Sequence, residues 1–154
     1  MIEIEEIECR LFSGEKIEDI VFDINWKDFE DFISKILEKN EYRVLKNFRF
    51  KTFRRYEIDI VSIKDDLALL IDCKRWCSGR YKKFQLKESS KKQMKRVEEF
   101  KKIIKEYPDL SKIKRILPVI VTWFEEDLVK EGEALIIPLW KLNHFLNNME
   151  TEIE

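Results

Sequence analysis

The chain has 154 residues, which suits one compact domain, and its hydrophobic share of 44% is enough to build a core. No apolar run approaches the roughly 20 residues of a membrane helix, so we expect no membrane partner. The acidic N-terminus lacks the basic start and apolar block of a signal peptide, and the three cysteines form no zinc-type pairs. These features favour a reduced, cytoplasmic setting.

The net charge of −1 conceals a strong asymmetry along the chain. Residues 1–31 carry 3 basic and 11 acidic side chains, whereas residues 43–115 carry 23 basic and 10 acidic ones. Aromatic residues are interleaved with the basic ones. This segment could bind a polyanion through phosphate neutralisation and base stacking, or it could be a solvated helix face balanced by the acidic ends. Charge alone leaves both interpretations open.

The first half of the chain alternates between strand-like and helix-like patterns. Apolar residues alternate over 2–11 and a turn follows at 13–16, which predicts an N-terminal β-hairpin. Asn25 can cap a helix, and the apolar spacing after it predicts a helix to about Asn40. A strand is predicted over 42–53.

The second half begins with two apolar strands that flank a polar turn at Lys64–Leu67. A basic loop surrounds Gly79, and a long helix is predicted over roughly Gln85–Glu106. A strand over 116–124, a short strand over 135–139 and a closing helix complete the chain. This order of elements predicts a mixed α/β domain with a central sheet.

The charged residues within the Lys64–Leu67 hairpin are the most informative feature. With a two-residue turn, Asp59 faces Asp72 and Glu57 faces Lys74 on one side of the hairpin. Two facing aspartates repel each other unless a cation cancels the charge, and oxygen ligands with water suit Mg²⁺ or Mn²⁺. The alternative is an exposed hairpin edge on which Glu57 and Lys74 form an ion pair.

An aspartate followed across a hairpin by Asp-x-Lys at the end of an apolar strand resembles the PD-(D/E)xK nuclease superfamily. The matching residues are Ile58-Asp59 and Asp72-Cys73-Lys74, with isoleucine where the family frequently has proline. The family also places a glutamate on the preceding helix and often a glutamine on the following one, which Glu30 and Gln93 match. The resemblance is nearest to archaeal Holliday-junction resolvases and related restriction-endonuclease-like proteins.

The resemblance implies a restriction-endonuclease-like fold, in which helices flank a mixed central sheet with an αβββαβ core. We assign the core to residues 25–124 of a single domain. Residues 1–24 would be an added N-terminal β-hairpin, which could extend the sheet or contact a second subunit in a homodimer. Residues 125–154 would add a C-terminal strand and helix.

The resemblance also implies a role for each matching residue. Asp59 and Asp72 would hold the metal ion, with the backbone carbonyl of Cys73 as a further ligand. Lys74 would orient or deprotonate the attacking water, or stabilise the developing charge. Glu30 would bind water around the ion or help to hold a second ion.

Further residues are assigned on the same resemblance or on their position beside it. Gln93 would position the lysine or a phosphate, and Glu57 is either a substitute ligand or a structural partner of the lysine. The basic residues that could bind DNA phosphates are Arg54, Arg55, Arg75, Arg80, Lys82 and Lys83.

The function implied is that of a Mg²⁺-dependent or Mn²⁺-dependent DNA endonuclease, which would hydrolyse phosphodiester bonds in branched or duplex DNA. The alternative is a catalytically inactive module with the same fold that binds nucleic acid or a protein. The sequence has no Gly-rich phosphate loop, so we expect no nucleotide cofactor.

Overall fold

The computed structural model describes residues 4–16, 19–20, 26–74, 82–122 and 129–149 of the chain. Within these residues, six strands form one mixed sheet, and helices cover both of its faces. The predicted α/β class with a central sheet is therefore confirmed.

From the second helix onward the elements follow the predicted order, with one additional short strand, Val129–Glu131, that the sequence did not predict. The helices are α1 (Ile4–Phe12), α2 (Trp26–Lys39), α3 (Lys82–Ile103), which continues as a 3₁₀ turn (Ile104–Glu106), and α4 (Leu139–Asn147). The strands are β1 (Arg43–Lys51), β2 (Arg55–Lys64), β3 (Leu67–Lys74), β4 (Arg115–Thr122), β5 (Val129–Glu131) and β6 (Ala134–Pro138). None of the described helices is both long and apolar enough to cross a membrane.

The sheet has the strand order β1-β2-β3-β4-β6-β5. β1, β2 and β3 form an antiparallel meander, and α3 then connects β3 to the parallel strand β4. β6 is parallel to β4, and β5 pairs antiparallel with β6. β3 lies near the centre and is buried from Leu67 to Cys73, as expected for a strand covered on both faces. β1 lies at one edge of the described sheet.

Two apolar clusters lie on opposite faces of the sheet. On one face, Phe29 and Ile33 of α2 and Phe145 of α4 pack against the strands. The spacing of Phe29 and Ile33 puts them on one side of α2, and both are fully buried. On the other face, Val97 and Phe100 of α3 belong to the second cluster. The strands between these layers therefore have little freedom to move, and they can hold a site at their ends.

The predicted N-terminal β-hairpin is wrong, because Ile4–Phe12 forms helix α1. The apolar residues that suggested alternation include Ile7 and Leu11, whose i, i+4 spacing also fits one side of a helix. Two glutamates in the first turn and Arg10 in the last turn complement the helix dipole. Ile7 packs against a small cluster that contains Phe32 of α2. The second strand of the predicted hairpin lies mostly outside the described residues.

The turn between β2 and β3 has the predicted register. Lys64 faces Leu67, and the pairing continues without a break to Ile60 and Ile71. Asp65 adopts a φ of 56°, which a short Asp side chain tolerates in a tight turn. The turn residues and the period-2 pattern therefore set the register of the central hairpin.

The predicted continuation of this ladder is wrong beyond its fifth pair. Asp59 and Asp72 do not form a ladder pair, and neither do Glu57 and Lys74. Past this point β2 remains paired with β1, while the last residues of β3 remain paired with β4. Glu57 faces Arg49 of β1, and the two side chains form an ion pair at 3.1 Å. The ladder stops at the point where the regular pairing of β2 with β1 also omits Asn47 and Asp59.

The strands also change the side of the sheet that their side chains face. Ile58 and Val61 are three residues apart, yet both belong to the cluster beneath α3. Strict alternation would put them on opposite faces. In the facing stretch of β1, the side chains likewise change from one face of the sheet to the other around Asn47, whose φ is 52°. Asp59 lies at this irregular point, so the alternation of side chains along β2 does not determine which face of the sheet its side chain is on.

Candidate active site

Asp72 and Lys74 are the charged residues at the C-terminal end of β3. Because side chains alternate along the strand, both lie on the side of α3, whereas Cys73 packs into the cluster beneath α2. Asp72 is only 5% exposed, and its Oδ2 lies 3.5 Å from the Nζ of Lys74. The end of the central strand therefore presents a buried carboxylate beside an amine.

Asp59 reaches the same place from β2. Its Oδ2 accepts a hydrogen bond of 2.9 Å from the backbone N–H of Cys73. In a continued ladder that N–H would bond to the carbonyl of Ile58, so the carboxylate takes the place of the missing strand contact. The Asp59 carboxyl also lies close enough to the Asp72 carboxyl for the two groups to influence each other's ionisation.

The close approach of these acids changes the protonation of Asp59. Burial raises the pKa of Asp59 to about 7, and the neighbouring carboxyl groups of Asp72 and Glu30 add to the rise. The hydrogen bond from Cys73 acts in the opposite direction. Carboxyl groups that share a site behave in this way when no cation compensates their charge.

Glu30 brings a third acid from the opposite face of the sheet. It lies on α2, is 6% exposed and adds to the rise in the pKa of Asp59. Burial raises the pKa of the Cys73 thiol well above its usual range, and Asp59 and Glu30 contribute to that rise. The opening between β2 and β3 therefore lets an acid on the α2 side of the sheet affect the protonation of Asp59.

The Oδ2 atom of Asp72 has unusual surroundings. It is buried and accepts no hydrogen bond from the residues that the structure describes. It forms two long ion pairs, with the Lys74 Nζ at 3.5 Å and the Arg96 Nη1 at 3.7 Å. These cations offset part of its charge but leave its hydrogen-bonding capacity open to a further ligand.

Gln93 connects α3 to the two central strands. It is fully buried, and its amide donates hydrogen bonds to the carbonyls of Leu70 at 2.7 Å and Val119 at 3.4 Å. Its side-chain oxygen accepts a hydrogen bond of 3.0 Å from Arg96. Gln93 therefore holds Arg96 next to Asp72, and its contacts suit a positioning residue.

Sequence reasoning missed two residues of this site. Arg96 lies three residues after Gln93, so both point to the same side of α3, but α3 contains so many basic residues that none stood out. Thr122 pairs with Lys74 across β3 and β4. Its hydroxyl is buried and has no hydrogen-bond partner among the described residues, and a threonine at the end of an apolar strand gave no signal in the sequence.

A divalent cation fits this group of oxygens. The unpartnered Oδ2 of Asp72 and the adjacent carboxyl of Asp59 are hard oxygen donors of the kind that Mg²⁺ prefers. Within the described ranges, no three His, Cys, Asp or Glu side chains are already arranged as a cation cage. An ion here would therefore need water or phosphate ligands beside the two aspartates, which is how Mg²⁺ commonly binds.

The predicted DNA-binding residues are only partly described. Arg54 and Arg55 are exposed at the turn between β1 and β2. Arg75 and Arg80 lie outside the described residues. Lys82 and Lys83 begin α3, but their side chains also lie outside the description.

The α-β-β-β-α-β order, with two aspartates and a lysine where the central hairpin opens, defines a domain of the PD-(D/E)xK nuclease class. Within that class, the chain belongs to the nuclease-related domain family, whose sequence model matches residues 25–123. The matched residues run from just before α2 to just after β4, so they cover the predicted core.

Several known proteins are similar to this chain. An uncharacterized protein of Archaeoglobus fulgidus is 29% identical over 127 residues, which cover 82% of this chain and 92% of that protein. A crystal structure of a protein of unknown function has a TM-score of 0.38 and 19% identity, over 64% of this chain and 50% of that one. The McrB–McrC half-complex of Thermococcus gammatolerans has a TM-score of 0.43 and 15% identity, over 80% of this chain and 33% of that one. The chain thus spans half or less of these two solved chains.

Proposed function

We propose that this protein is a DNA endonuclease that hydrolyses phosphodiester bonds with the help of Mg²⁺ or Mn²⁺. Membership of the nuclease-related domain family supports the nuclease class. The observation that carries the proposal is the meeting of Asp59 and Asp72 at the opening of the hairpin, with Lys74 at 3.5 Å from Asp72. The excess of basic residues over 43–115 supports a polyanionic substrate.

Asp59 and Asp72 would hold the cation, and the backbone carbonyl of Cys73 would be a further oxygen ligand. A bound divalent cation supplies charge neutralisation at a phosphate and lowers the pKa of bound water. Glu30 would accept hydrogen bonds from water at the site, since its carboxylate lies close enough to raise the pKa of Asp59.

Lys74 would orient the attacking water or donate to a phosphate oxygen. Its amine is held beside Asp72, so it is already placed at the edge of the acidic group. The Arg96 guanidinium lies 3.7 Å from the same Asp72 oxygen and could donate to a second phosphate oxygen. Gln93 would keep the Arg96 guanidinium in place through its hydrogen bond of 3.0 Å.

The test is cleavage of linear duplex, branched and single-stranded DNA by purified protein, with Mg²⁺, with Mn²⁺ and with a chelator. We expect metal-dependent cutting that falls by at least about 100-fold in Asp72→Asn and Lys74→Ala, because these changes remove transition-state contacts. Asp109→Asn and Lys112→Ala are matched controls, since both residues are exposed and lie away from the opening. Equal activity in Asp72→Asn and wild type would contradict the proposal.

A second candidate function has one observation in its favour. Lys74 and Arg96 already lie within 4 Å of Asp72, so they offset part of its charge without a metal ion. A domain that binds nucleic acid without cutting it would need no more than this. DNA binding that survives Asp72→Asn, with no metal-dependent cutting in the wild type, would support this candidate.

We also propose a cytoplasmic setting. Cys9 is exposed and Cys73 is buried, and both are free thiols. Free thiols are typical of reducing compartments. Measuring the redox state of Cys9 in intact cells with a thiol-reactive label would test this assignment: a reduced thiol supports it, and an oxidised one contradicts it.

A further inference from the structure

An aromatic ring is exposed at the turn between β1 and β2. Phe53 is 68% exposed, although large apolar side chains elsewhere in this region are buried. The turn is fixed by two hydrogen bonds: the Thr52 N–H donates to the Arg54 carbonyl at 3.0 Å, and the Thr52 hydroxyl donates to Glu99 of α3 at 2.6 Å. The turn is therefore attached to the same helix that carries Gln93.

The ring is supported from below by other aromatic side chains. Its edge meets Tyr56, with ring centroids 6.0 Å apart and an interplanar angle of 76°. Tyr56 stacks on Phe50 at 5.4 Å and 18°, and Phe50 meets Phe100 of α3 at 6.0 Å. Tyr56, Phe50 and Phe100 are all buried. The orientation of the exposed ring is thus set by the core.

Cationic groups surround this ring. The Arg54 guanidinium lies 5.9 Å from the centre of the Phe53 ring and 4.7 Å from that of Tyr56, and the Lys95 Nζ lies 5.7 Å from the Phe53 ring. Lys95 also has an ion pair with Glu98 at 3.8 Å. Arg54 and Arg55 form no ion pair within the part of the chain that the structure describes. The positive charge around the ring is therefore available to a ligand.

We propose that Phe53, Arg54 and Lys95 form a stacking platform for an unpaired base of the nucleic acid substrate. A single supported ring offers a face to one base, and the cations beside it can neutralise the flanking phosphates. Bases within an intact duplex cannot reach such a ring without being unstacked. The inference extends the proposed function, because it assigns a single-stranded segment to the substrate of the same site.

The platform lies close enough to the acidic site for one strand to contact both. Asp59 follows Phe53 by six positions in the chain, so their Cα atoms are at most about 20 Å apart at 3.3 Å per residue. That length corresponds to about six base steps at 3.4 Å each. Lys95 contacts the ring and its neighbour Arg96 contacts Asp72, so α3 connects the two places. The unpaired base would lie within about six nucleotides of the bond that is cut.

The test measures binding in a chelator at fixed salt, so that it does not depend on cleavage. The probes are a single-stranded oligonucleotide that contains 2-aminopurine, and a blunt duplex of equal length. We expect Phe53→Ala to weaken binding of the single strand about 10-fold to 100-fold and to abolish the quenching of 2-aminopurine that stacking causes. Duplex binding should change less than about 2-fold. Phe53→Trp should restore both signals.

Phe12→Ala is the matched control, because Phe12 is 92% exposed but lies on α1, beside α2 and away from α3. Four outcomes would overturn the platform: wild-type binding by Phe53→Ala, equal losses on single strand and duplex, equal losses in Phe12→Ala, and wild-type behaviour of Phe53→Leu, which keeps an apolar side chain without a ring. Each variant is first checked for wild-type folding by circular dichroism.

The two proposals fail in different ways. If the protein never cuts DNA but Phe53→Ala still loses single-strand binding and quenching, the nuclease proposal fails and the platform stands. If the protein cuts DNA and Phe53→Ala binds and cuts every substrate as the wild type does, the nuclease proposal stands and the platform fails.

Discussion

The two halves of the central β2–β3 hairpin differ in their contacts: the half near the turn is a regular ladder with a buried apolar surface, and the other half brings acidic side chains together. Near the turn, Ile60–Lys64 and Leu67–Ile71 pair residue by residue, and most of their side chains are buried and apolar. At the other end the ladder has stopped, and Asp59 and Asp72 come together through a hydrogen bond to the Cys73 backbone and the proximity of their carboxyl groups. The same two strands therefore provide both support and chemistry.

The difference shows why the charges are tolerated within strand-like runs. In the paired half, the buried side chains are apolar except for Ser62, whose hydroxyl donates a hydrogen bond of 3.4 Å to the carbonyl of Leu69. In the open half, a carboxylate satisfies a backbone N–H that lost its partner. Charge appears where the regular pairing ends, and the apolar half supplies the stability that the open half does not.

The largest expected change in stability comes from a substitution in the paired half of the hairpin. Leu70→Ala should lower the free energy of unfolding by about 2–5 kcal/mol, because Leu70 is fully buried beneath α3 and its removal leaves a cavity. The measurement is chemical denaturation followed by circular dichroism. Leu11→Ala is the control, since Leu11 is 42% exposed and should cost little. A loss below about 1 kcal/mol for Leu70→Ala would show that this half is not the stable one.

The next effect concerns pH and the open half. The folded-state pKa of Asp59 is raised to about 7 from the usual 3.8 of an aspartate side chain, chiefly by burial. The stability associated with its protonated form is fully present below about pH 4 and is lost as the pH rises through 7. We expect metal-free protein to lose on the order of 2 kcal/mol between pH 4 and pH 8, and Asp59→Asn to remove that loss. Denaturation curves across this pH range test the prediction.

The control for the pH experiment is Asp109→Asn. The Asp109 side chain is 80% exposed, so this variant should lose stability with rising pH as the wild type does. The asparagine oxygen of Asp59→Asn can still accept the hydrogen bond from Cys73, so loss of that contact does not confuse the result. The same slope in Asp59→Asn and wild type would mean that another group titrates.

A comparable effect is expected from metal ions. At pH 8, Mg²⁺ at about 100 times its dissociation constant should stabilise the wild type by about 2.7 kcal/mol, because binding to the folded state alone stabilises it. Asp72→Asn should show no such gain, since it removes a charged ligand. Thermal unfolding with MgCl₂ against NaCl of equal ionic strength measures the difference. An equal gain in Asp72→Asn would show that the ion binds elsewhere.

The smallest effect concerns Thr122, which pairs with Lys74 at the edge of the open half. Thr122→Val keeps the shape and removes a buried hydroxyl that has no hydrogen-bond partner, so we expect a gain in stability of up to about 1 kcal/mol. DNA cutting should change less than about 2-fold. A larger fall in the cutting rate, with stability unchanged, would show that the hydroxyl contacts the substrate.

Much of the fold that holds the candidate site could be predicted from the sequence. A short polar turn between two apolar runs sets the register from Lys64–Leu67 to Ile60–Ile71, since a two-residue loop fixes which residues of the two strands face each other. The apolar spacing in α2 and the location of Gln93 on the buried side of α3 follow from the helical period in the same way.

The rest depends on contacts that the sequence does not display. Residues such as Ile7 and Leu11 fit a strand or a helix, and packing against Phe32 favours the helix. The end of the β2–β3 ladder depends on a local change of side near Asn47 and Asp59, which no periodic pattern announces. Arg96 becomes distinctive only once its distance to Asp72 is known.

The outer edge of β1 has a further consequence for self-assembly. Nine residues of edge strand leave backbone donors and acceptors that another molecule could extend into a cross-β stack. The left-handed residue Asn47 interrupts that edge, and basic side chains at 43, 46, 49 and 51 would bring like charges together in any stacked copy. Apolar replacements along β1 would therefore favour fibre formation even where the fold itself was unharmed.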